Sequence, residues 1–267
     1  MTRLTEAARD ELLALAHDLA DAAREETLAH FRRPGLDADN KDAAGFDPVT
    51  VADRAAESRM RGIISARRPD DGILGEEMGH ARGTSGLTWV LDPIDGTRGY
   101  LSGTPTWGVL IAVSDAEGPL LGLIDQPYIG ERFVGAPGIA TMTGPRGTSA
   151  LATRAARPLE AATVFTTFPE VGTPDEGAAF RRVAARARLT RYGMDCYGYA
   201  LVALGQVDLV IEAGLNPYDI QAPIAVIEAA GGIVTDWQGG PAHAGGRAIA
   251  AANPRIHAEA LALLSGG

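Results

Sequence analysis

The sequence predicts a mixed fold, α+β or layered α/β, and three observations carry that prediction. Two amphipathic helical segments open the chain. A run of apolar, strand-like segments joined by polar turns follows them. From about residue 150 onward, strands and helices alternate to the end. Helices and strands in such blocks suit layers packed face to face around apolar cores.

Each element has a local reason. Residues 4–31 read as one long helix, because Leu12, Leu15, Ala16, Leu19 and Ala23 recur at steps of three and four. Arg33-Pro34-Gly35 ends it. The polar stretch LDADNKDAAGFDP reads as a mobile loop. Thr50 opens a second helix, VADRAAESRMRGIISARR, with Asp53 where a capping box usually carries Glu. From Ile73 the texture changes. ILGEE is a short strand ending in acids, and LTWVLDPIDG is a strand running into a turn. WGVLIAVSD and GPLLGLIDQP form a predicted hairpin, continued by ERFVGAPG and GIATMTG.

In the second half ATVFTTFP is a strand, PDEGAAFRRVAARAR a helix, LTRYG a strand and DCYGYALVALGQ a helix. VDLVIEAG is a strand, and DIQAPIAVIEAAGG a helix closed by glycine. GIVTDW and AIAAAN are short strands, and RIHAEALALLS is the final helix. Pro223 sits four residues after Asp219 in a helical segment, so that helix either starts later or kinks. The expected organisation is one domain of two halves, about 1–150 and 151–267.

With 267 residues, 46% of them hydrophobic, the chain has enough apolar surface for a large core. A formal net charge of -10 argues against a nucleic-acid partner, which needs clustered Lys and Arg. It leaves room for a small phosphorylated metabolite, since a metal can supply the positive charge. The one cysteine, Cys196, forms no intrachain disulfide and suits a reducing compartment. The N-terminal residues carry acids throughout, unlike a secretory signal. No apolar run reaches the ~18 residues of a membrane span. The expectation is a cytoplasmic protein with neither a nucleic-acid nor a membrane partner.

Few acids end apolar runs: Glu76 and Glu77 after ILG, Asp92 and Asp95 in LDPIDG, and Asp219 at the head of a helix. Carboxylates converging at strand ends repel one another unless a cation joins them, and hard oxygen ligands suit Mg²⁺ or Mn²⁺. The five histidines are scattered, which gives no zinc pattern. Pro93 stiffens the turn between Asp92 and Asp95. Gly96 lets the chain bend and a phosphate approach, and amides beyond Asp95 starting a helix would attract the anion. Thr97 adds a hydroxyl there. Each acid also has a plain reading. Asp92 and Asp95 are common turn formers, while Asp53 and Asp219 suit helix caps. The conjunction favours the site. Cys196 has no neighbouring His and reads as a packing residue. Tyr197 and Tyr199 read as packing residues, with one ring free to line a pocket.

DPVTVAD (47–53), GEE (75–77), WVLDPIDGT (89–97), LVALGQVDLVIEAG (201–214) and NPYDIQAPIAVIEAAGG (216–232) together resemble the inositol monophosphatase family, within the fructose-1,6-bisphosphatase-like superfamily. The motifs stand in the family order across nearly the whole chain. The resemblance implies a layered α-β-α-β-α sandwich, commonly a homodimer, that hydrolyses phosphate monoesters with two or three Mg²⁺ ions, Mn²⁺ being a substitute. It implies Glu76, Asp92, Asp95, Asp219 and the carbonyl of Ile94 as metal ligands, with Glu77 a more distant helper. Asp53 and Thr97 would orient and activate the attacking water, with Glu76 beside them. The amides of Gly96 and Thr97 would hold the phosphate. The loop with Asn40 and Lys41 is a candidate cover for the metals.

One departure bears on the substrate. Inositol monophosphatases typically carry Trp-Asp where this chain has Tyr218-Asp219. GLNPYD, GTRGYLSGTPTWG and RYGMDCYGYAL resemble instead the histidinol-phosphatase branch. Histidinol phosphate carries an amine and an imidazole, which a carboxylate can pair with. Asp195, with Glu212 and Asn216, is the candidate group, alongside Asp219. Asp195 also suits a helix N-cap, and the two roles are compatible. Three activities therefore stand: a histidinol-phosphatase, an inositol-phosphate or nucleotide 3′-phosphatase, and a non-catalytic metal-binding scaffold.

Overall fold

The structure, a computed structural model, describes residues 4–36, 38–40 and 48–266. Helix α1 (Glu6–His30) is capped by Thr5, whose hydroxyl accepts the Ala8 N–H. Strand β1 (Ala38–Asn40) pairs antiparallel with β2 (Pro48–Thr50). Part of the stretch expected as a loop is therefore a strand pair. Lys41 lies outside the described residues, and the expected cover over the metals lies there with it. Helix α2 (Val51–Arg67) starts at the expected capping box, with Asp53 Oδ2 accepting the Thr50 N–H at 2.8 Å.

The first sheet takes its strands from residues 72–150. They are β3 (Gly72–Gly75), β4 (Gly79–Ala81), β5 (Thr88–Asp95), β6 (Gly108–Asp115), β7 (Gly118–Gln126), β8 (Glu131–Ala136), β9 (Ile139–Gly144) and β10 (Gly147–Ala150), with helix α3 (Thr97–Ser102) between β5 and β6. Their order is β10-β9-β8-β7-β6-β5-β3-β4. The β3–β5 pair is parallel, and the predicted β6–β7 hairpin is present. The second sheet comprises β11 (Thr163–Thr166), β12 (Leu189–Tyr192), β13 (Leu209–Leu215), β14 (Ile233–Thr235) and β15 (Gly246–Ala251), in the order β12-β11-β13-β15-β14. Helices α4 (Pro174–Ala184), α5 (Asp195–Ala203), α6 (Pro217–Ala229) and α7 (Pro254–Ser265) connect or follow them.

The alternation of side chains along the strands sets the layers. Trp89, Leu91, Val109, Ile111 and Val113 pack against α1 and α2. Val90, Leu110, Ala112 and Ile124, on the opposite face, pack against α5 and α6. In the second sheet Phe165, Val210 and Ala250 face that same helix layer, while Val164, Leu209, Ile211 and Ile249 pack on α4 and α7. The result is the α-β-α-β-α sandwich the resemblance implied. The central strands β5, β6 and β7 are buried on both faces, so they read as continuous apolar runs rather than alternating ones.

Helix α6 lies hard on the first sheet. A Cβ on Gly122 would stand 2.5 Å from the Ala222 carbonyl oxygen, and one on Gly135 2.3 Å from that of Ala225. The start of α6 corrects the sequence reading. It begins earlier than Asp219, at Pro217 with Asn216 as N-cap, and continues through Pro223. Proline at the first turn suits a helix start, while Pro223 leaves the Asp219 carbonyl without its usual intrahelical donor.

Candidate active site

Strand β5 carries the site. The sequence reads a strand followed by a turn at LDPIDG, but the strand continues to Asp95. Asp92 pairs with Leu110 and Asp95 with Gly108, so β5 holds one residue more than β6 across the same interval. This is a β-bulge, and Pro93, which has no N–H for the ladder, lies in it. In a regular strand residues three apart point to opposite faces. The extra residue brings Asp92 and Asp95 to one side. Asp92 also accepts the Ile94 N–H at 3.0 Å, fixing its carboxylate against the bulge.

Asp219, in the first turn of α6, completes the group. Asp92, Asp95 and Asp219 each offer a carboxylate oxygen, all within 4.8 Å of one another. Glu76, on the β3–β4 turn, shares a side-chain hydrogen bond with Asp92. Burial first, then Glu76, Asp95 and Asp219, hold Asp92 well above the usual carboxylate range. Asp95 is likewise raised, by burial and then by Asp195 and Asp219. The Cys196 N–H donates to Asp95 Oδ2 at 2.6 Å and opposes that rise. Asp92 is buried and Asp95, Asp219 and Glu76 are half-buried; acids this close competing for protons, all with hard oxygens, fit a divalent cation.

The other expected residues fall into place unequally. Ile94, Gly96, Thr97, Asp195, Glu212 and Asn216 line one cavity of about 250 Å³ with Glu76 and the three aspartates. Asp53 does not line it. Asp53 is buried behind Glu76, which adds to the burial that pushes its carboxyl up to about 6. Its Oδ2 accepts from Thr50, while Oδ1 is buried with no hydrogen-bond partner. The Thr97 hydroxyl donates to the Ile94 carbonyl at 3.1 Å. The Glu77 amide donates to Glu57 Oε2 at 2.7 Å.

Asp195 is not the helix cap that its sequence position allows. Met194 is the N-cap of α5, and Asp195 is the first helical residue with φ 44°. Its carboxylate accepts from Thr106 at 3.4 Å and stands against Gly96. Gly96 has φ +85°, and a Cβ there would lie 2.8 Å from the Asp195 Cβ and Cγ. Glycine is needed both for the backbone and for this approach. Burial pushes Asp195 up to about 6, with Thr106 and Arg98 pulling it back. Glu212, beside a second register shift in β13, accepts from the Thr166 hydroxyl and from the Thr167 amide and hydroxyl. Burial raises it to about 7 against those three bonds. The Asn216 N–H donates to Asp219 Oδ2 at 2.7 Å.

Sequence reasoning missed Arg98, Thr167 and Phe168 as lining residues, while Tyr218, the departure it singled out, does line the cavity. Arg98 stacks on Phe168 with its guanidinium 4.8 Å from the ring centroid, joining the two halves of the chain across the cavity. A cation directly after DPIDGT was the available signal for Arg98. The loop after β11 carried none. Cys196 is buried, as read, and its thiol packs where a Cβ on Gly108 would lie.

A model of the inositol monophosphatase family matches residues 8–266. The chain belongs to the inositol monophosphatase family. Within reach of this family, Bifunctional phosphatase IMPL2, chloroplastic, of Arabidopsis thaliana is 42% identical over 240 residues, 89% of this chain and 68% of that protein. Histidinol-phosphatase of Chlorobaculum parvum is 36% identical over 258 residues, 96% of this chain and 97% of that one. The solved structure of an inositol monophosphatase from Zymomonas mobilis matches with a TM-score of 0.85 and 39% identity, covering 96% of this chain and 98% of that one. Inositol monophosphatase family members are metal-dependent phosphatases of small phosphorylated substrates, and the acidic cluster here is one that could bind metal. Among the described residues no helix is long and apolar enough to cross a membrane.

Proposed function

We propose that this chain is a Mg²⁺-dependent histidinol-phosphatase, converting L-histidinol phosphate and water to L-histidinol and phosphate in histidine biosynthesis. The observation that carries the choice of substrate is the pair Asp195 and Glu212. Glu212 is buried and Asp195 half-buried, and both carboxylates line the same cavity as the acidic cluster. An amine or imidazolium suits such a pair, whereas a polyol needs hydrogen bonds but no anion. Histidinol-phosphatase relatives of near full length support it. The likeness to the Zymomonas mobilis inositol monophosphatase supports a second reading, an inositol-1-phosphatase or 3′-phosphoadenosine 5′-phosphate phosphatase with the same chemistry.

Glu76, Asp92, Asp95, Asp219 and the Ile94 carbonyl would hold Mg²⁺, with Mn²⁺ as substitute. The cations would neutralise phosphate oxygens and acidify a water. The chain's own residues do the rest. Gly96 and Thr97 seat the phosphate beside the bulge. Asp53, raised to about 6 but set behind Glu76 rather than in the cavity, would take the water's proton through Thr97 as a relay. The Thr97 hydroxyl, held by the Ile94 carbonyl, keeps its lone pairs free to orient that water. Asp195, Glu212 and Asn216 fix the amine and imidazole end, so the ester is presented in one orientation.

A hydrolysis panel tests this: histidinol phosphate, inositol 1-phosphate, fructose 1,6-bisphosphate and 3′-phosphoadenosine 5′-phosphate, each with and without Mg²⁺. Histidinol phosphate should have the highest kcat/KM. Negligible turnover of it beside the others would select the second reading, and no turnover of any would favour a non-catalytic scaffold. A cytoplasmic homodimer of one-domain chains completes the proposal. Sedimentation equilibrium checks the dimer, and a single cooperative unfolding transition checks the domain.

A further inference from the structure

We propose that Glu57 is a positioning residue for the cation site, clamping the turn that carries Glu76. The proposal rests on the metal-dependent reading above. Glu57 lies one helical turn beyond Asp53 on α2 and is 0% exposed. A buried carboxylate needs partners, and its partners here are mostly backbone. Glu57 Oε2 accepts the Glu77 N–H at 2.7 Å, and Oε1 accepts the Met78 N–H at 3.1 Å and the Arg61 Nε at 2.7 Å. Arg61 in turn donates to the Gly79 carbonyl. Strand β3 passes so close that a Cβ on Gly75 would stand 2.1 Å from Glu57 Oε1.

Residues 75–79 therefore wrap around one side chain. Gly75 packs on it, Glu77 and Met78 give it their amides, and Gly79 is tied to it through Arg61. Glu76 lies in the middle of this wrap. Its own amide donates to the Leu91 carbonyl at 3.2 Å, locking the turn to β5. Its side chain reaches Asp92 on that strand. Glu76 lies between the carboxyls of Asp92 and Asp53, and a turn without a fixed backbone would be free to swing it out of the cavity. The clamp resists that movement. It holds the turn in the geometry a cation needs, so less ordering remains to be done on binding.

Substitution Glu57→Gln separates positioning from mere stability. One amide oxygen replaces two carboxylate oxygens, and the new NH₂ faces a backbone donor or Arg61, so at least one clamp bond is lost. The full-length chain is titrated with Mg²⁺ alone and followed by calorimetric binding and by thermal unfolding. Glu57→Gln should need ~10-fold more Mg²⁺ for half-saturation. Its KM for the phosphate monoester at saturating Mg²⁺ should stay within about twofold, because Asp195 and Glu212 are untouched. A variant that melts earlier but half-saturates at the wild-type concentration would overturn the proposal. A wild-type chain that takes up no Mg²⁺ would overturn the metal reading and this proposal with it. Should Glu57→Gln fail to fold, Arg61→Gln removes the tie to Gly79 and one partner of Glu57. It should raise the half-saturating concentration in the same direction, by less, and no change would again overturn the proposal.

Discussion

Replacing Asp92 by Asn should make the cation-free protein more stable while removing its response to Mg²⁺. Asp92, Asp95 and Asp219 have ligand oxygens within 4.8 Å of one another. At an effective dielectric constant of ~20, two charges at that distance repel by about 3.5 kcal/mol. Asp92 takes part in two of the three pairs, so full ionisation would cost about 7 kcal/mol through this residue alone. That rivals the whole stability of a domain, so the cation-free cluster keeps protons and absorbs most of the cost in raised pKa values. What Asn relieves at neutral pH is the remainder, ~1–3 kcal/mol, or a rise in Tm of ~2–8 °C. Asn keeps an oxygen for the Ile94 N–H, so the bulge survives. With Mg²⁺ at about a hundred times its Kd the wild type gains ~2.7 kcal/mol, and the variant should lose most of that gain. Differential scanning calorimetry in a chelator and then in Mg²⁺ measures both effects, and the variant's lead in melting point in chelator should shrink or reverse in Mg²⁺. A variant that melts below wild type in chelator, or that keeps the full Mg²⁺ shift, would refute the reasoning.

Three other outcomes follow from the same geometry. Asp53 titrates at about 6, so kcat/KM should rise with pH through that value, and Asp53→Asn should cut kcat by ~10²–10⁴-fold and abolish that limb of the profile. Glu212 is raised from 4.5 to about 7, so the stability it contributes is complete below its unfolded pKa and is lost as pH rises through the folded one. That is about 3 kcal/mol across the window, and Glu212→Gln should flatten the decline seen by denaturant titration of cation-free protein; an unchanged slope would contradict the assignment. Gly96→Ala forces a Cβ to 2.8 Å from Asp195 at φ +85°, so a loss of ~2–4 kcal/mol in urea unfolding and a collapse of activity are expected.

Much of this was legible in local pattern. The spacing of Leu12, Leu15 and Leu19 marks α1, and Thr50 with Asp53 marks the start of α2, because caps and helical faces depend on neighbours in sequence. The β6–β7 hairpin follows from two apolar runs across a polar turn. The bulge in β5 was misread as the end of a strand, because a bulge is defined by the register of the partner strand and Pro93 looks the same in a turn. Strands β4 and β10 escaped notice for a related reason: exposed and short, they carry no apolar pattern. Asp195 as a cap is a good local guess, overridden by a left-handed backbone that places it against Gly96.

What the chain determines by itself is an inventory and an order: acids at the ends of apolar runs, a glycine and a threonine beside two of them, and family motifs in sequence. Those are properties of near neighbours. Tertiary structure decided which acids meet. The Cys196 amide reaches Asp95 across 101 positions of sequence, and α6, inserted between two sheets, delivers Asp219 to a strand of the first half. It also decided that Asp53 sits behind the cavity and that Arg98 and Phe168 close over it. Helix periodicity and capping act over a few residues. Convergence depends on how whole layers pack, and no short stretch of sequence carries that.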